Sequence, residues 1–215
     1  MNLFSRFVAL FLFLVFLPVY IFVSLLCLIF NGNPIFFKQE RVGHNFKIFH
    51  IFKFRTMDIN DGDLITNFDD SRITAFGKIL RSTKLDEIPQ LVNIIKGDMR
   101  FIGPRPEVPK YFERNTFKFL EKIKPGLSDY SSILFRNESL ILKKIKGKEP
   151  YLKLLKIKLD LADYYSRRKT FFLDLKLVLI TILAIFSFKK AERIIIDEIV
   201  YDNPQVNDFI EKYFN

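Results

Sequence analysis

The chain has 215 residues, a single Cys, and 34 Lys and Arg against 24 Asp and Glu, a formal charge of +10. One Cys excludes an intramolecular disulfide framework. With 49% hydrophobic residues, 26 of them Phe, the chain is too apolar to be disordered, and 27% charged residues are too many for a polytopic membrane protein. This length predicts one compact domain with attachments rather than two independent enzymes.

Phe7 to Phe30 is a run of 24 residues without a charge. As a straight helix it is about 36 Å long, enough to cross a bilayer core. No A-x-A-like cleavage site follows it, which argues against a cleaved signal. Cys27 lies within it as a small hydrophobe. Pro18 sits mid-run, where it cannot donate to the Leu14 carbonyl. Both flanks are basic, Arg6 before and Lys38 and Arg41 after, whereas a span concentrates positive charge on its cytoplasmic side. A bent helix that enters and leaves by one face fits this pattern. Proline is tolerated in spanning helices, so on physics alone a kinked single span stays open beside it.

Ile35–Val42 and Phe46–Met57 read as two strands joined at Gly43-His44-Asn45, a hairpin. In the second, Lys53 and Arg55 share a face by the period of two. Asp58 to Asp70 reads as an acidic loop. Gly62 has the wrong offset for an EF-hand and the closing Glu is missing.

Ala75 to Lys96 has helical periodicity, interrupted by Pro89. The pattern predicts one helix ending near Thr83 and another starting at Asp86, with Asp86 as N-cap, Pro89 in the first turn and Gly97 closing it. Asp86 and Glu87 then lie at the positive end of a helix dipole. A first helical turn favours such residues without any function. Lys78, Arg81 and Lys84 precede the pair, however, and F-I-G-P-R-P-E (Phe101–Glu107) presents Arg105 between two prolines. Carboxylates beside a cationic cluster can form a phosphoryl-transfer site, in which one carboxylate can attack phosphorus or bind a divalent ion while guanidinium groups can grip phosphate oxygens.

Phe171 to Phe188 is a second apolar stretch, interrupted by Asp174 and Lys176 and flanked by Arg167, Arg168, Lys169, Lys189 and Lys190. This composition predicts a helix lying in a membrane interface rather than a span, with a buried core helix as the alternative. P-loop, dinucleotide-binding, nucleophile-elbow and zinc-finger patterns are all missing. No nucleic-acid-binding module is recognisable, so nucleic acid is not expected as a partner.

K-F-R-T-M (Lys53–Met57), D-D-S-R-I-T (Asp69–Thr74), G-K-I-L-R (Gly77–Arg81), L-D-E-I-P-Q-L (Leu85–Leu91), K-G-D-M (Lys96–Met99) and G-P-R-P-E (Gly103–Glu107) follow in that order. Each is short, but together they closely resemble the bacterial sugar transferases, the monotopic phosphoglycosyl transferases. The resemblance covers about residues 1–188. It implies an α+β monotopic membrane protein with a re-entrant helix at 1–30, a mixed helical and hairpin catalytic domain at 31–188 with an interface helix near 171–188, and a C-terminal extension at 189–215.

The resemblance further implies transfer of a sugar phosphate from a UDP-sugar to undecaprenyl phosphate, with UMP as the second product. Mg²⁺ is the implied cofactor and membrane lipids are implied partners. The implied location is the cytoplasmic face of the bacterial inner membrane, and the implied pathways build O-antigen, capsule, exopolysaccharide or glycoprotein glycans. The family's nucleophilic aspartate matches Asp86, which also approaches the metal, and its glutamate matches Glu87. Lys53, Arg81 and Arg105 match its phosphate or nucleotide contacts, and Arg136, after Pro125-Gly126-Leu127, is a looser match. The bend proline matches Pro18 and tips the N-terminal helix toward the re-entrant form. Two departures stand out: P-G-L-S-D-Y-S-S-I replaces the commoner P-G-I-T-G-W-A-Q-V, so sugar preference is not transferable, and Leu17 stands where many members have Ser. No motif speaks for or against a homodimer. The rival reading is a catalytically inactive membrane scaffold or lipid-binding protein.

Overall fold

The structure, a computed structural model, describes residues 2–59, 70–199 and 202–214. Most of the expected loop between Asp58 and Asp70 lies outside the described residues.

The apolar N-terminus forms two helices, α1 (Asn2–Val15) and α2 (Leu17–Asn31), bent by 61°. The break falls at Phe16, two residues before Pro18, which occupies the first turn of α2. There its missing N–H costs little, and the Leu14 carbonyl is the one it leaves without a helical donor. Among the described residues no single helix is long and apolar enough to cross a membrane; the bent pair together meets the length and composition.

Three anchors tie this pair to the rest of the protein. Arg6 donates to the Ile95 and Lys96 carbonyls at 2.7 and 2.5 Å. The Tyr20 hydroxyl donates to the Ile88 carbonyl at 2.6 Å. Arg55 donates to the carbonyls of Asn31, Gly32 and Pro34, satisfying the end of α2. The inner face, with Ala9, Tyr20, Val23 and Cys27, is buried against the domain. The outer face leaves Leu3, Phe4, Phe7, Phe11, Phe22 and Ile29 exposed.

The hairpin forms from β1 (Phe36–Val42) and β2 (Ile48–Phe54), paired antiparallel with Phe36 opposite Phe54 and Val42 opposite Ile48. Its connection runs from Gly43 to Lys47, longer than the expected three residues, because His44–Phe46 coil into a 3₁₀ turn. Tertiary contacts explain this: His44 Nδ1 lies 2.9 Å from the Leu120 carbonyl, and Phe46 packs its ring on Phe112.

Next comes α3 (Ala75–Thr83), N-capped by Thr74, whose hydroxyl accepts from the Gly77 N–H. Lys84 ends it in the left-handed region at φ 60°. A 3₁₀ segment, Leu85–Gln90, leads into α4 (Leu91–Lys96), which Gly97 closes at φ 87° as expected. Asp86 is therefore not an N-cap. Left-handed Lys84 holds that position, and its carbonyl accepts from Glu87 N–H at 3.2 Å.

Two short strands, β3 (Arg100–Ile102) and β4 (Gly126–Ser128), pair in parallel. The remaining helices are α5 (Tyr130–Leu134), α6 (Glu138–Lys144), α7 (Pro150–Arg168), α8 (Phe171–Phe186), α9 (Phe188–Ile199) and α10 (Pro204–Tyr213). With two small sheets among helices, the architecture is α+β.

The apolar stretch from Phe171 breaks at Ser187, and Phe188 already belongs to α9. One face of α8 buries Leu177, Ile180 and Ala184, while Phe172, Leu175, Leu179, Ile182 and Phe186 stay exposed. The main core joins α5, α7 and α8 to the C-terminal helices. Ala191, Ile195, Ile199, Val206, Phe209 and Ile210 pack in the same cluster as Tyr130, Leu161 and Tyr165.

Candidate functional site

Backbone packing brings the charged residues together. Gly103 and Gly126 meet so closely that a Cβ on Gly126 would lie 2.1 Å from the Gly103 nitrogen. Only glycine allows this approach, which sets the Pro104–Glu107 stretch beside β4. Asp129, the N-cap of α5, accepts from the Arg105 N–H at 3.2 Å. Arg105 is thus held by its backbone as well as by the flanking prolines.

The Arg105 guanidinium reaches Glu87 through Nη2–Oε1 at 2.5 Å and Nη1–Oε2 at 3.4 Å. Lys53 of β2 donates to the same Oε1 at 2.8 Å. Glu87 is the hub where three distant segments converge. Burial alone would raise its carboxyl, but the combined field of Arg105, Lys53 and Lys84 outweighs that and holds it well below the ordinary carboxylate range. Glu87 in turn raises Arg105.

Asp86 is only 6% exposed, and its Oδ1 is buried with no hydrogen-bond partner among the described residues. Burial raises its carboxyl; Lys53 pulls it down and the Glu87 charge pushes it up. Burial also lowers the Lys84 ammonium. Two more buried polar atoms in the adjoining segments have no partner among the described residues: Nη1 of Arg81 and Nε2 of Gln90. An unpaired buried polar group costs about 1–3 kcal/mol, so each of these three atoms has capacity for a polar partner.

The site therefore brings together Lys53, Asp86, Glu87 and Arg105, with Arg81 in the last turn of α3 near enough to pull the Asp86 carboxyl down. Arg136 is placed differently. Its guanidinium donates to the Ala184 carbonyl at 2.6 Å and the Ser82 carbonyl at 3.1 Å, bridging α8 and α3. Arg55, on the face shared with Lys53, serves the carbonyls after α2. Pro18 lies at the helix bend.

Asp129 also supports the site through its bond to the Arg105 N–H. The linear signal for Asp129 is D-Y-S-S, an N-cap pattern, since its carboxylate accepts from Ser132 N–H at 2.7 Å. Gln90 is signalled only as part of L-D-E-I-P-Q-L (Leu85–Leu91).

Among the described residues no group of three or more His, Cys, Asp and Glu side chains gathers to hold a metal ion. A single free carboxylate oxygen, such as Asp86 Oδ1, suits a hard cation that completes its shell with water and substrate phosphate oxygens, the usual habit of Mg²⁺. The donor set fits that ion.

A carboxylate without a partner among the described residues thus lies beside a carboxylate neutralised by Lys and Arg, next to further cations. Comparison with known proteins gives the family. The family model described as bacterial sugar transferase matches residues 1–188, and the chain belongs to that family. A sugar transferase of Bacillus subtilis named EpsL, itself uncharacterized, is 36% identical over 156 residues, 70% of this chain and 69% of its own length. The UDP-glucose:undecaprenyl-phosphate glucose-1-phosphate transferase of Escherichia coli is 30% identical, covering 81% of this chain and 37% of its own length. An Aeromonas hydrophila enzyme named for transfer of N-acetylgalactosamine phosphate from its UDP form to undecaprenyl phosphate is 30% identical over 80% of this chain and 40% of its own. The chain spans about a third of the length of the relatives named for glucose-1-phosphate transfer.

Proposed function

We propose that the protein transfers a sugar phosphate from a UDP-sugar to undecaprenyl phosphate, releasing UMP, at the cytoplasmic face of the bacterial inner membrane. The observation that carries this reading is the Asp86–Glu87 pair, one carboxylate unpartnered and the other ion-paired to Lys53 and Arg105. The relatives' names supply the substrates.

Ionised Asp86 attacks the β-phosphorus of the donor, and the bridging P–O bond to the α-phosphate breaks with UMP as leaving group. Burial, which raises the Asp86 carboxyl, also makes its carboxylate the stronger nucleophile. The acceptor phosphate then attacks the phosphorus of the acyl phosphate and returns the Asp86 carboxylate. Asp86 would hold Mg²⁺, which would supply charge neutralisation for the leaving group. Glu87 is a weak base in this setting, so it acts by orienting Lys53 and Arg105 toward the phosphoryl oxygens. Arg81 offers its free Nη1 to the donor phosphates. Arg136 acts at the rim, tying α8 to the end of α3 beneath the site.

The bent pair α1–α2 is re-entrant in this reading. Arg6 near its start, Tyr20 past the bend and Asn31 at its end all bond one domain, whereas the two ends of a span lie on opposite sides of a bilayer. Its exposed outer face and that of α8 rest in lipid, which brings an apolar acceptor and a water-soluble donor to one carboxylate.

Detergent-purified protein with Mg²⁺, undecaprenyl phosphate and a panel of UDP-sugars tests this. UMP release with one donor supports it. Silence across the panel, together with no donor binding by folded protein, returns the reading to a catalytically inactive lipid-binding scaffold.

A further inference from the structure

A second cationic site lies apart from the carboxylate pair, where α1 begins and α4 ends. Arg6, Lys96, Arg100 and Lys124 line a cavity of about 100 Å³, with Ser5 and Gly97 on its wall. That is far below the roughly 300–1,000 Å³ of pockets for drug-sized ligands and is on the scale of a single phosphate group. Arg6 donates to the last two carbonyls of α4, and Lys124 to that of Gly97 just beyond it at 2.5 Å, so the negative end of the helix dipole is already neutralised. Both retain further N–H groups. Lys96 is exposed, its ammonium 4.7 Å from the centre of the Phe52 ring. Arg100 pairs with Asp174 at 3.3 Å, and the nearby Asp98 carboxylate faces Asn93 at 3.3 Å. One ion pair leaves a clear excess of positive charge.

The apolar surroundings say where the ligand comes from. Phe4 and Phe7 flank Arg6 in sequence and are 67% and 65% exposed. Phe171 and Phe172 open α8, the helix whose Asp174 reaches Arg100, and are 57% and 80% exposed. The two helices that approach this cavity, α1 through Ser5 and Arg6 and α8 through the Asp174–Arg100 pair, thus both carry exposed aromatic rings, the apolar companions a lipid headgroup brings acyl chains to.

We propose that this cavity binds the phosphodiester headgroup of an anionic membrane phospholipid, fixing the depth at which the N-terminal arm of the bent helix sits. The inference rests on the membrane-bound reading above and adds a resident lipid site distinct from the carboxylate pair.

The test uses full-length protein in neutral detergent, offered phosphatidylglycerol or phosphatidylcholine of equal chain length, with bound lipid read by native mass spectrometry. Phosphatidylglycerol is expected to bind about tenfold more strongly, because each cation near a lipid headgroup contributes severalfold. The Lys96→Gln/Lys124→Gln double variant loses that preference while releasing UMP as the wild type does. Should loss of the Lys124 bond to Gly97 unfold the double variant, Lys96→Gln alone, which breaks no hydrogen bond, shows a severalfold reduction. Equal binding of the two lipids by wild-type protein that still floats with neutral vesicles overturns this site alone. Failure to float with any vesicle overturns the membrane reading beneath it. Displacement of phosphatidylglycerol by millimolar inorganic phosphate makes it a free-phosphate site, and loss of UMP release in the folded double variant assigns it to the acceptor; both overturn the proposal.

Discussion

Asp86 and Glu87 are adjacent in the chain and electrostatically opposite: Glu87 is clamped by Lys53 at 2.8 Å and Arg105 at 2.5 Å, while Asp86 keeps a buried oxygen with no partner. The carboxyl of one is held down and that of the other is pushed up. The division of labour proposed for the site follows from this difference, since a clamped carboxylate orients cations and a free one attacks.

Removing the clamp damages both stability and turnover. Glu87→Ala leaves Arg105 and Lys53 without their shared partner, and breaking a buried ion pair from one side costs about 3–5 kcal/mol. Glu87→Gln keeps the shape and loses the charge. Its melting temperature falls less than that of Glu87→Ala, while UMP release drops by about 100-fold or more as the cations lose their aim. Thermal melts beside initial rates check the pair of variants.

Acid should switch off turnover before it unfolds the protein. Asp86, raised above its ordinary 3.8, takes its proton first as pH falls, and a protonated carboxyl is no nucleophile. Glu87 is depressed, so the stability it contributes is fully present above its ordinary 4.5 and is lost only as pH falls through its lower folded value. The midpoint of the acid limb of turnover therefore lies at higher pH than the midpoint of acid denaturation. A pH–rate profile recorded beside a pH melt tests the order.

Much of this site was legible in the sequence because it depends on short stretches of chain. Pro18 marks the bend, Gly97 the end of α4, and the prolines around Arg105 its stiffness. What the sequence hid depends on distant contacts. The hairpin turn is remodelled by the Leu120 carbonyl, and the Asp86 cap is displaced by the left-handed backbone of Lys84. That Lys53 and Arg105 would share Glu87, and that Arg136 would brace α8 against Ser82, follows from packing between elements far apart in the chain.

The C-terminal helices are expected to be essential although the family match stops at residue 188. Truncation there removes the buried Ile195, Ile199, Val206, Phe209 and Ile210 and bares Tyr130, whose hydroxyl donates to Glu198 at 2.8 Å. At about 1.5–3 kcal/mol per buried side chain, the loss rivals the whole stability of a domain, about 5–15 kcal/mol. The shortened protein should aggregate on expression; a cooperative melt like that of the full chain would show that α9 and α10 are dispensable.

Pro18→Leu restores a donor for the Leu14 carbonyl and favours one continuous helix, long enough at about 1.5 Å per residue to cross a bilayer. An Asn2→Cys reporter in a Cys27→Ser background reads the outcome with an impermeant thiol reagent added outside spheroplasts. The reporter stays unlabelled with Pro18 in place, as the re-entrant form requires, and becomes labelled in Pro18→Leu.

The central claim is that Asp86 carries the sugar phosphate. It is tested most directly by incubating the protein with its UDP-sugar and Mg²⁺ in the absence of acceptor, then sequencing the peptide that contains Asp86 by mass spectrometry. The account predicts a sugar phosphate on Asp86, matched by UMP released in proportion to enzyme, and neither in Asp86→Asn. Sustained turnover by folded Asp86→Asn, or a modified peptide that carries the sugar phosphate elsewhere, would contradict it.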